Sequence, residues 1–257
     1  METTKRLRLD VMVVERGLAK TRSRAQALIL AGRVSVNNSI ATKTGLQVDR
    51  TAHVSVAERD HPFVGRGGLK LTHALDQFKI NVRDRIALDI GASTGGFTDV
   101  LLRRHASHVV AVDVGRGQLD WKLRSDGRVT VMESTNARHL TPDDFPADHR
   151  AFSCVTIDVS FISLKLILPV LPPLLTTNND IAALVKPQFE AGRNEVGKGG
   201  IVRDVNIHAR VVEEVIAVAN TLGLEHVSTT TSPILGAEGN REFFVHLRHN
   251  NKVNTDA

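Results

Sequence analysis

A short apolar strand that runs into a glycine-rich turn and straight on into a helix leaves a chain few architectures. Ala87-Leu88-Asp89-Ile90-Gly91-Ala92-Ser93-Thr94-Gly95-Gly96-Phe97 reads in this way. Glycine lets backbone approach a ligand closely, and open α/β sheets bind ligands at the carboxyl ends of their strands. A cofactor is therefore expected against this turn, with Asp89, Gly91, Ser93, Thr94, Gly95, Gly96 and Phe97 as its candidate contacts. The dinucleotide spacing G-x-G-x-x-G is absent, because position 93 is serine, and this favours a nucleoside without a pyrophosphate over NAD. The competing reading is a tight strand-to-helix turn that binds nothing. Asp113 stands 24 residues after Asp89 at the end of the next strand, where a carboxylate can accept from both hydroxyls of a ribose. Asn136, beyond the third strand, could face an adenine edge or simply form a turn.

From about residue 63, strands alternate with helices, which calls for a parallel sheet with crossover helices. The strands are expected at Ile86 to Ile90, His108 to Val114, Val129 to Met132, Phe152 to Val159, Ile181 to Val185, His226 to Ser232 and Glu242 to Arg248. Helices are expected at Phe97 to Arg104, Leu119 to Arg124, Ser163 to Leu175 and Val205 to Leu222. The last two strands follow each other directly and suit an antiparallel edge pair. Ahead of this region, Leu7 to Glu15 and Ser23 to Ala31 read as short helices, the second with a Ser23/Gln26 capping box and a stop at Gly32. Short strands follow at Val34 to Val36, Gly45 to Val48 and His53 to Val56, with Asn37-Asn38 as a turn. The expected organisation is a small α+β unit over residues 1–60, a linker at 61–62, an α/β domain over 63–250 and a tail at 251–257.

Charge divides along the same line. Residues 1–60 hold 11 Lys and Arg against 6 Asp and Glu, while the remainder balances at 22 of each, so the whole surplus of +5 sits in the first quarter. Such concentration suits a module that docks on a polyanion. Arg6, Arg8, Lys20, Arg22, Arg24 and Arg33 are its candidate phosphate contacts. Aromatic residues make up 4% and tyrosine is absent, so recognition is expected to lean on charge and RNA shape instead of a large stacking platform. A membrane role is not expected. The longest apolar run, Leu166 to Leu175, is half the ~20 residues a spanning helix needs and holds Pro169, Pro172 and Pro173. The charged start of the chain lacks an apolar signal core, so a cytoplasmic protein is expected. The single cysteine, Cys154, reads as a core residue, and the 11 histidines lack zinc-helix spacing, so no metal is expected.

Four further stretches carry a resemblance. Gly65-Arg66-Gly67-Gly68-Leu69-Lys70-Leu71, Leu88 through Thr98, Ile157-Asp158-Val159-Ser160-Phe161-Ile162-Ser163 and Val185-Lys186-Pro187-Gln188-Phe189-Glu190 together resemble the TlyA family. Thr21 to Ala25, Leu28-Ile29, Gly32-Arg33-Val34 and Val36-Asn37 resemble the RNA-binding domain of ribosomal small-subunit protein four. The resemblance implies a Rossmann-like S-adenosylmethionine-dependent methyltransferase domain of the FtsJ type, a seven-stranded mostly parallel sheet, joined to a small RNA-binding domain. It implies S-adenosyl-L-methionine as cofactor, and methylation of a ribose 2′-hydroxyl in ribosomal RNA, at cytidine, with the RNA or a ribosomal subunit as partner.

It also implies a catalytic tetrad of Lys70, Asp158, Lys186 and Glu242, with Asp158 a candidate cofactor contact as well. The sulfonium methyl is already activated, so the protein must supply orientation and proton removal. Lys186 is the candidate base. A lysine of ordinary pKa ~10.4 would need a lowered pKa to act so at neutral pH, which a nearby Lys70 cation would favour and Asp158 and Glu242 would oppose. The other reading is a cluster that orients the hydroxyl and lets its proton leave late. Glu190 to Gly200, rich in glycine, reads as a lid or a solvent loop. Competing functions are a haemolysin-type membrane-active protein, an RNA-binding protein without catalysis, and a base methyltransferase. The spanning helices or repeated strands of a pore are missing, and the tetrad lysines favour ribose over base chemistry.

Overall fold

In the longer, carboxyl-terminal unit, the central strands bury side chains on both of their faces. The computed structural model describes residues 6–19, 21–30, 32–57, 61–236 and 239–249. Contacts divide the chain into Met1–Pro62 and Phe63–Ala257.

The first unit contains β1 (Leu7–Arg8), α1 (Leu9–Glu15), α2 (Arg22–Leu30), β2 (Val34–Val36), β3 (Ser39–Ala41), β4 (Gln47–Val48) and β5 (Val54–Val56). Strands β3, β2 and β5 form an antiparallel sheet, and β1 pairs with β4. Leu9, Met12, Val13, Ala25, Leu28, Ile29 and Val34 form the core. Strand β3 was not expected from the sequence. It exists because Asn37 and Asn38 both adopt positive φ, +48° and +66°, the pairing that closes a tight hairpin. The Ser23 capping box does not form. Helix α2 begins a residue earlier, where the Arg24 amide donates to Thr21 Oγ1 (3.2 Å), and Gln26 instead donates to Asp10 (2.9 Å).

The second unit has α3 (Gly67–Gln77), β6 (Ile86–Ile90), α4 (Gly96–Arg103), β7 (His108–Val112), α5 (Trp121–Arg124), β8 (Val129–Met132), β9 (Phe152–Ile157), β10 (Leu175–Val185), α6 (Pro187–Glu190), α7 (Val205–Thr221), β11 (Leu224–Thr231) and β12 (Phe243–His249). Its seven-stranded sheet runs β11-β12-β10-β9-β6-β7-β8. Six of its strands run in one direction and β12 alone runs against them. Leu88, Ile90, Val155, Ile157 and Val185 pack on one face with Val211 and Val215 of α7. Ala87, Cys154, Ala182 and Leu184 pack on the other with α3 and α4. A core on both faces is what a parallel sheet requires. Cys154 lies within it, its thiol pushed up to about 12 by burial, and is chemically inert.

Several elements depart from expectation. Ser163 to Leu175 is not one helix but three 3₁₀ turns, Leu164–Leu166, Leu168–Val170 and Pro172–Leu174. Pro169, Pro172 and Pro173 supply no amide donor, so an α-helical ladder cannot propagate through them. Strand β10 reaches back to Leu175, with a break in register between Leu175 and Asp180. Helix α3 was not expected, so Lys70 lies within the fold and not ahead of it. Its apolar stripe, Leu71, Ala74, Leu75 and Phe78, carries helical spacing and is buried. The expected tail at 251–257 lies outside the described residues.

At the amino end of the sheet, buried Asp180 accepts from Arg85 (2.6 Å), His246 Nε2 (2.8 Å) and Arg248 (2.8 Å). Burial by itself would raise its pKa, but these three donors outweigh it and hold the carboxyl well below the usual range.

Candidate active site

Strand β6 neighbours β7 on one side and β9 on the other, so the chain reverses its direction of progress across the sheet at the carboxyl end of β6. Crevices in open α/β sheets form at such a point. Gly91 turns the chain there with φ +85°, and a Cβ on it would lie 2.4 Å from the Asp158 carbonyl oxygen, so only glycine fits. Two cavities adjoin at this turn. The smaller, about 230 Å³, is lined by Gly67, Gly91, Ser93, Thr94, Gly96, Phe97, Asp158, Ser160 and Lys186 among others. The larger, about 570 Å³, has apolar walls from Ile90, Val112, Ile162 and Ile167 and polar groups from Asp113, Gln118 and Asn136. Gly91, Ser93, Asp158 and Ser160 line both.

Asp113 accepts from the Ser93 amide (2.7 Å) and the Gly115 amide (2.6 Å), one on each oxygen. A carboxylate offers about four lone-pair sites, so acceptor capacity remains for the hydroxyls of a ribose. The Asn136 side chain accepts from the Arg138 amide (3.1 Å) and caps a 3₁₀ turn, the turn-forming reading, while the residue also lines the larger cavity.

Two of the expected cofactor contacts fall elsewhere. Gly95 lines neither cavity. A Cβ there would lie 2.1 Å from Leu123 Cδ1, so its absence admits α5 packing. Asp89 is fully buried and accepts from Thr98 Oγ1 (2.6 Å) and Thr156 Oγ1 (2.9 Å), outside both cavities. Strand alternation explains this, since Asp89 shares the Ala87 face of β6 and points into the layer beneath α4. Burial pushes its carboxyl up to about 6, against the lowering effect of the two hydroxyls. The folded chain thus holds a proton here that the unfolded chain releases near ~3.9, and Asp89 subtracts stability as pH rises from about 4 to 6. Asp89→Asn is expected to remove a pH-dependent loss of up to about 3 kcal/mol, read as a flattened plot of denaturation midpoint against pH over that range. An unchanged plot would show that Asp89 ionises at its ordinary pKa.

The four expected catalytic residues meet at the same sheet edge as two ion pairs. Asp158 follows β9 and Lys186 follows β10, and Lys186 Nζ stands 2.7 Å from Asp158 Oδ1 and donates to Ser160 Oγ (2.8 Å). Lys70 Nζ donates to Glu242 Oε2 (2.5 Å), and both residues are buried. Antiparallel pairing of Val185 with Phe243 sets Lys186 opposite Glu242 in the next step of the register. Glu242 precedes β12 instead of opening it. Each lysine therefore has its own carboxylate, and Lys70 does not stand as a bare cation beside Lys186. Asp158 Oδ1 is buried against the Lys186 ammonium and accepts no hydrogen bond of good geometry among the described residues.

Sequence reading quoted Gly67, Ser160, Phe161 and Glu190 only within longer stretches and gave none of them a site role of its own. Glu190 accepts from Ser163 Oγ (2.5 Å) and the Leu164 amide (2.7 Å), bracing the segment that carries Asp158 and Ser160, with burial raising its pKa. Phe161 is 88% exposed, has φ +63° and leans on Phe189, with ring centroids 5.1 Å apart. The signal lay in their spacing around Asp158 and Lys186.

Among the expected phosphate contacts, Arg6 is exposed and Lys20 lies outside the described residues. Arg8 and Arg22 both bond the buried Asp10, at 3.0 and 2.9 Å. These bonds, Arg8 first, overcome burial and hold Asp10 well below the usual carboxylate range. Arg33 donates to the Ala57 carbonyl. Part of the basic surplus thus braces the small unit itself. Arg8 and Arg22 nonetheless keep 43% and 56% of their side-chain surfaces in solvent.

The glycine turn and sheet lie within residues 63–249, which match the profile of FtsJ-like methyltransferases, and residues 7–54 match the S4 domain. The class is therefore a Rossmann-like methyltransferase unit carrying an amino-terminal S4 domain. The 16S/23S rRNA (cytidine-2′-O)-methyltransferase TlyA of Mycobacterium tuberculosis H37Rv is 48% identical over 245 residues, 95% of this chain and 90% of that one. Hemolysin A of Brachyspira hyodysenteriae is 41% identical over 241 residues, 94% and 99% of the two chains. A solved structure from Streptococcus thermophilus, carried under a provisional hemolysin name, superposes with a TM-score of 0.75 at 45% identity, covering 97% and 90%. The chain belongs to the TlyA family. Among the described residues no helix is long and apolar enough to cross a membrane, and no cluster of His, Cys, Asp or Glu could hold a metal.

Proposed function

We propose that the chain transfers the methyl group of S-adenosylmethionine to the ribose 2′-hydroxyl of a cytidine in ribosomal RNA, in the cytoplasm. The observation that carries this reading is the placement of the Lys186–Asp158 pair on the wall shared by the two cavities. The larger cavity lies within the ~300–1,000 Å³ usual for ligand sites, and its apolar walls with Asp113 at one end suit an adenosine. Gly91 and Ser93 would approach it through their backbone, and the methyl-bearing end would point toward Asp158 and Ser160. When bound, the cofactor supplies a methyl activated on a sulfonium.

The chain's residues do the rest. Lys186, held by Asp158 and Ser160, would orient the ribose hydroxyl, and the Asp158 carboxylate would take up its proton as the methyl group passes from the sulfonium to the hydroxyl oxygen. Lys70 and Glu242 hold the neighbouring backbone ends in place. This favours the orienting role over a free Lys186 base, because a lysine committed to a carboxylate and a serine is a proton donor.

Ribosomal RNA from a strain lacking the gene, incubated with the protein and methyl-labelled cofactor, is expected to yield labelled 2′-O-methylcytidine on digestion. Label on a base would favour the base methyltransferase, and no label on RNA or ribosomal subunits would overturn the reading.

A further inference from the structure

Balanced charge over residues 61–257 suggests a catalytic unit with little electrostatic part in RNA binding. The structure spends that charge unevenly. Asp76, Asp99, Asp126, Glu133 and Asp180 are each taken up by an arginine of the same unit, and Glu195 and Glu214 share Arg210. Arg66, Lys198, Arg203 and Arg241 are all exposed, and none of their side chains bonds another described residue.

These four cations are joined to the active edge by a continuous series of contacts. Arg66 directly precedes Gly67, which lines the smaller cavity, and Lys70 on the same helix bonds Glu242, the neighbour of Arg241. Asn240, fully buried, accepts from the Val202 amide (2.9 Å) and donates to the Gly200 carbonyl (2.8 Å). Gly197 pairs with Ile201, and Glu195 is held by Arg210 (2.6 Å). The glycine-rich segment, which carries Lys198 and leads to Arg203, is therefore tied down at both ends, with Gly200 and Val202 bonded to Asn240, the neighbour of Arg241, which lines a groove between α7 and β11.

Building on the proposed function, we infer that Arg66, Lys198, Arg203 and Arg241 form a phosphate-binding rim on the methyltransferase unit that seats the RNA backbone over the two lysine–carboxylate pairs. Unpaired guanidinium and ammonium groups at a catalytic mouth suit phosphate oxygens, and each phosphate neutralised releases counterions. An exposed pair of like charge, Lys79 and Arg83, with half the charge of the rim, lies before the amino end of β6, the far end of the strand from Gly91, and bonds no acidic side chain. It provides an internal control.

The test measures affinity for unmethylated ribosomal subunits against salt, in the full-length protein. With all four rim residues changed to alanine, the slope of log affinity against log salt is expected to flatten by about 3 units, at roughly 0.7 to 0.9 per phosphate contact. A version carrying lysine at Arg66, Arg203 and Arg241 should keep the slope, and Lys79→Ala with Arg83→Ala should leave it unchanged. Cofactor binding, measured by titration, reports that the fold is intact. A rim variant that binds cofactor and keeps the wild-type slope overturns the rim, as does equal flattening in the control. Equal competition by polyglutamate of matched charge would assign the rim to an acidic protein instead. Failure of the wild-type protein to methylate RNA defeats the functional reading separately, since the slope does not depend on turnover.

Discussion

Lys186→Ala is expected to slow methyl transfer by about 10²- to 10⁴-fold, because it disables the proton-accepting Asp158 that it holds, while cofactor binding stays close to wild type. The reason is positional. Lys186 reaches Asp158 and Ser160 on the wall where the cavities meet, whereas the adenosine-sized cavity is lined without it. Asp158→Asn should give a loss of similar size, because the amide keeps the shape but cannot take up a proton. The two losses should not add, since each change breaks the same pair. Single-turnover transfer from labelled cofactor, with parallel titration of cofactor binding, separates these effects. Near-normal turnover in either variant would remove the pair from the chemistry.

Asp180→Ala is expected to cost about 3 to 5 kcal/mol of stability, the largest stability effect foreseen for a single residue of this chain. The substitution strands Arg85 and the fully buried His246, both of which lose their carboxylate partner. Asp180 also gives stability a pH dependence opposite in sign to that of Asp89. Its folded pKa lies below its unfolded value, so its contribution is complete above ~3.9 and disappears as pH falls through the folded pKa. As acid is added, stability should therefore rise from about pH 6 to 4 as Asp89 is protonated and fall below that as Asp180 is. Urea unfolding across pH 3 to 7 reads both limbs. A variant that loses less than about 1 kcal/mol would show that the cluster is worth no more than a surface ion pair.

What sequence made visible was whatever is local. The strand, glycine turn and helix from Ile86 to Arg103 are written in consecutive residues, and so are the acids and lysines that end β9 and β10. Two acids near strand ends, Asp89 and Asp113, looked alike as cofactor contacts. Alternation separates them, because Asp89 stands one residue before the end of β6 on the buried face, whereas Asp113 follows the end of β7. Helix α3 was hidden by the three glycines around its start, which drew attention as a motif, although its buried stripe begins directly afterward. The false helix at Ser163 to Leu175 came from weighing apolar content above its three prolines. The division of four charged residues into two pairs was not legible, since Lys70 and Glu242 lie 172 residues apart and only the fold decides which lysine each carboxylate meets.

The place of the last strand has a consequence for synthesis. Strand β12 is inserted between β10 and β11, and the residue before it supplies the partner of Lys70. A nascent chain can close βαβ crossovers as they emerge, but this ion pair is a contact of very high sequence separation and comes late in assembly. Until residues 242–249 leave the ribosome, the sheet has a gap and Lys70 lacks its carboxylate. One of the two lysine–carboxylate pairs is thus withheld until translation of residues 63–249 is almost complete.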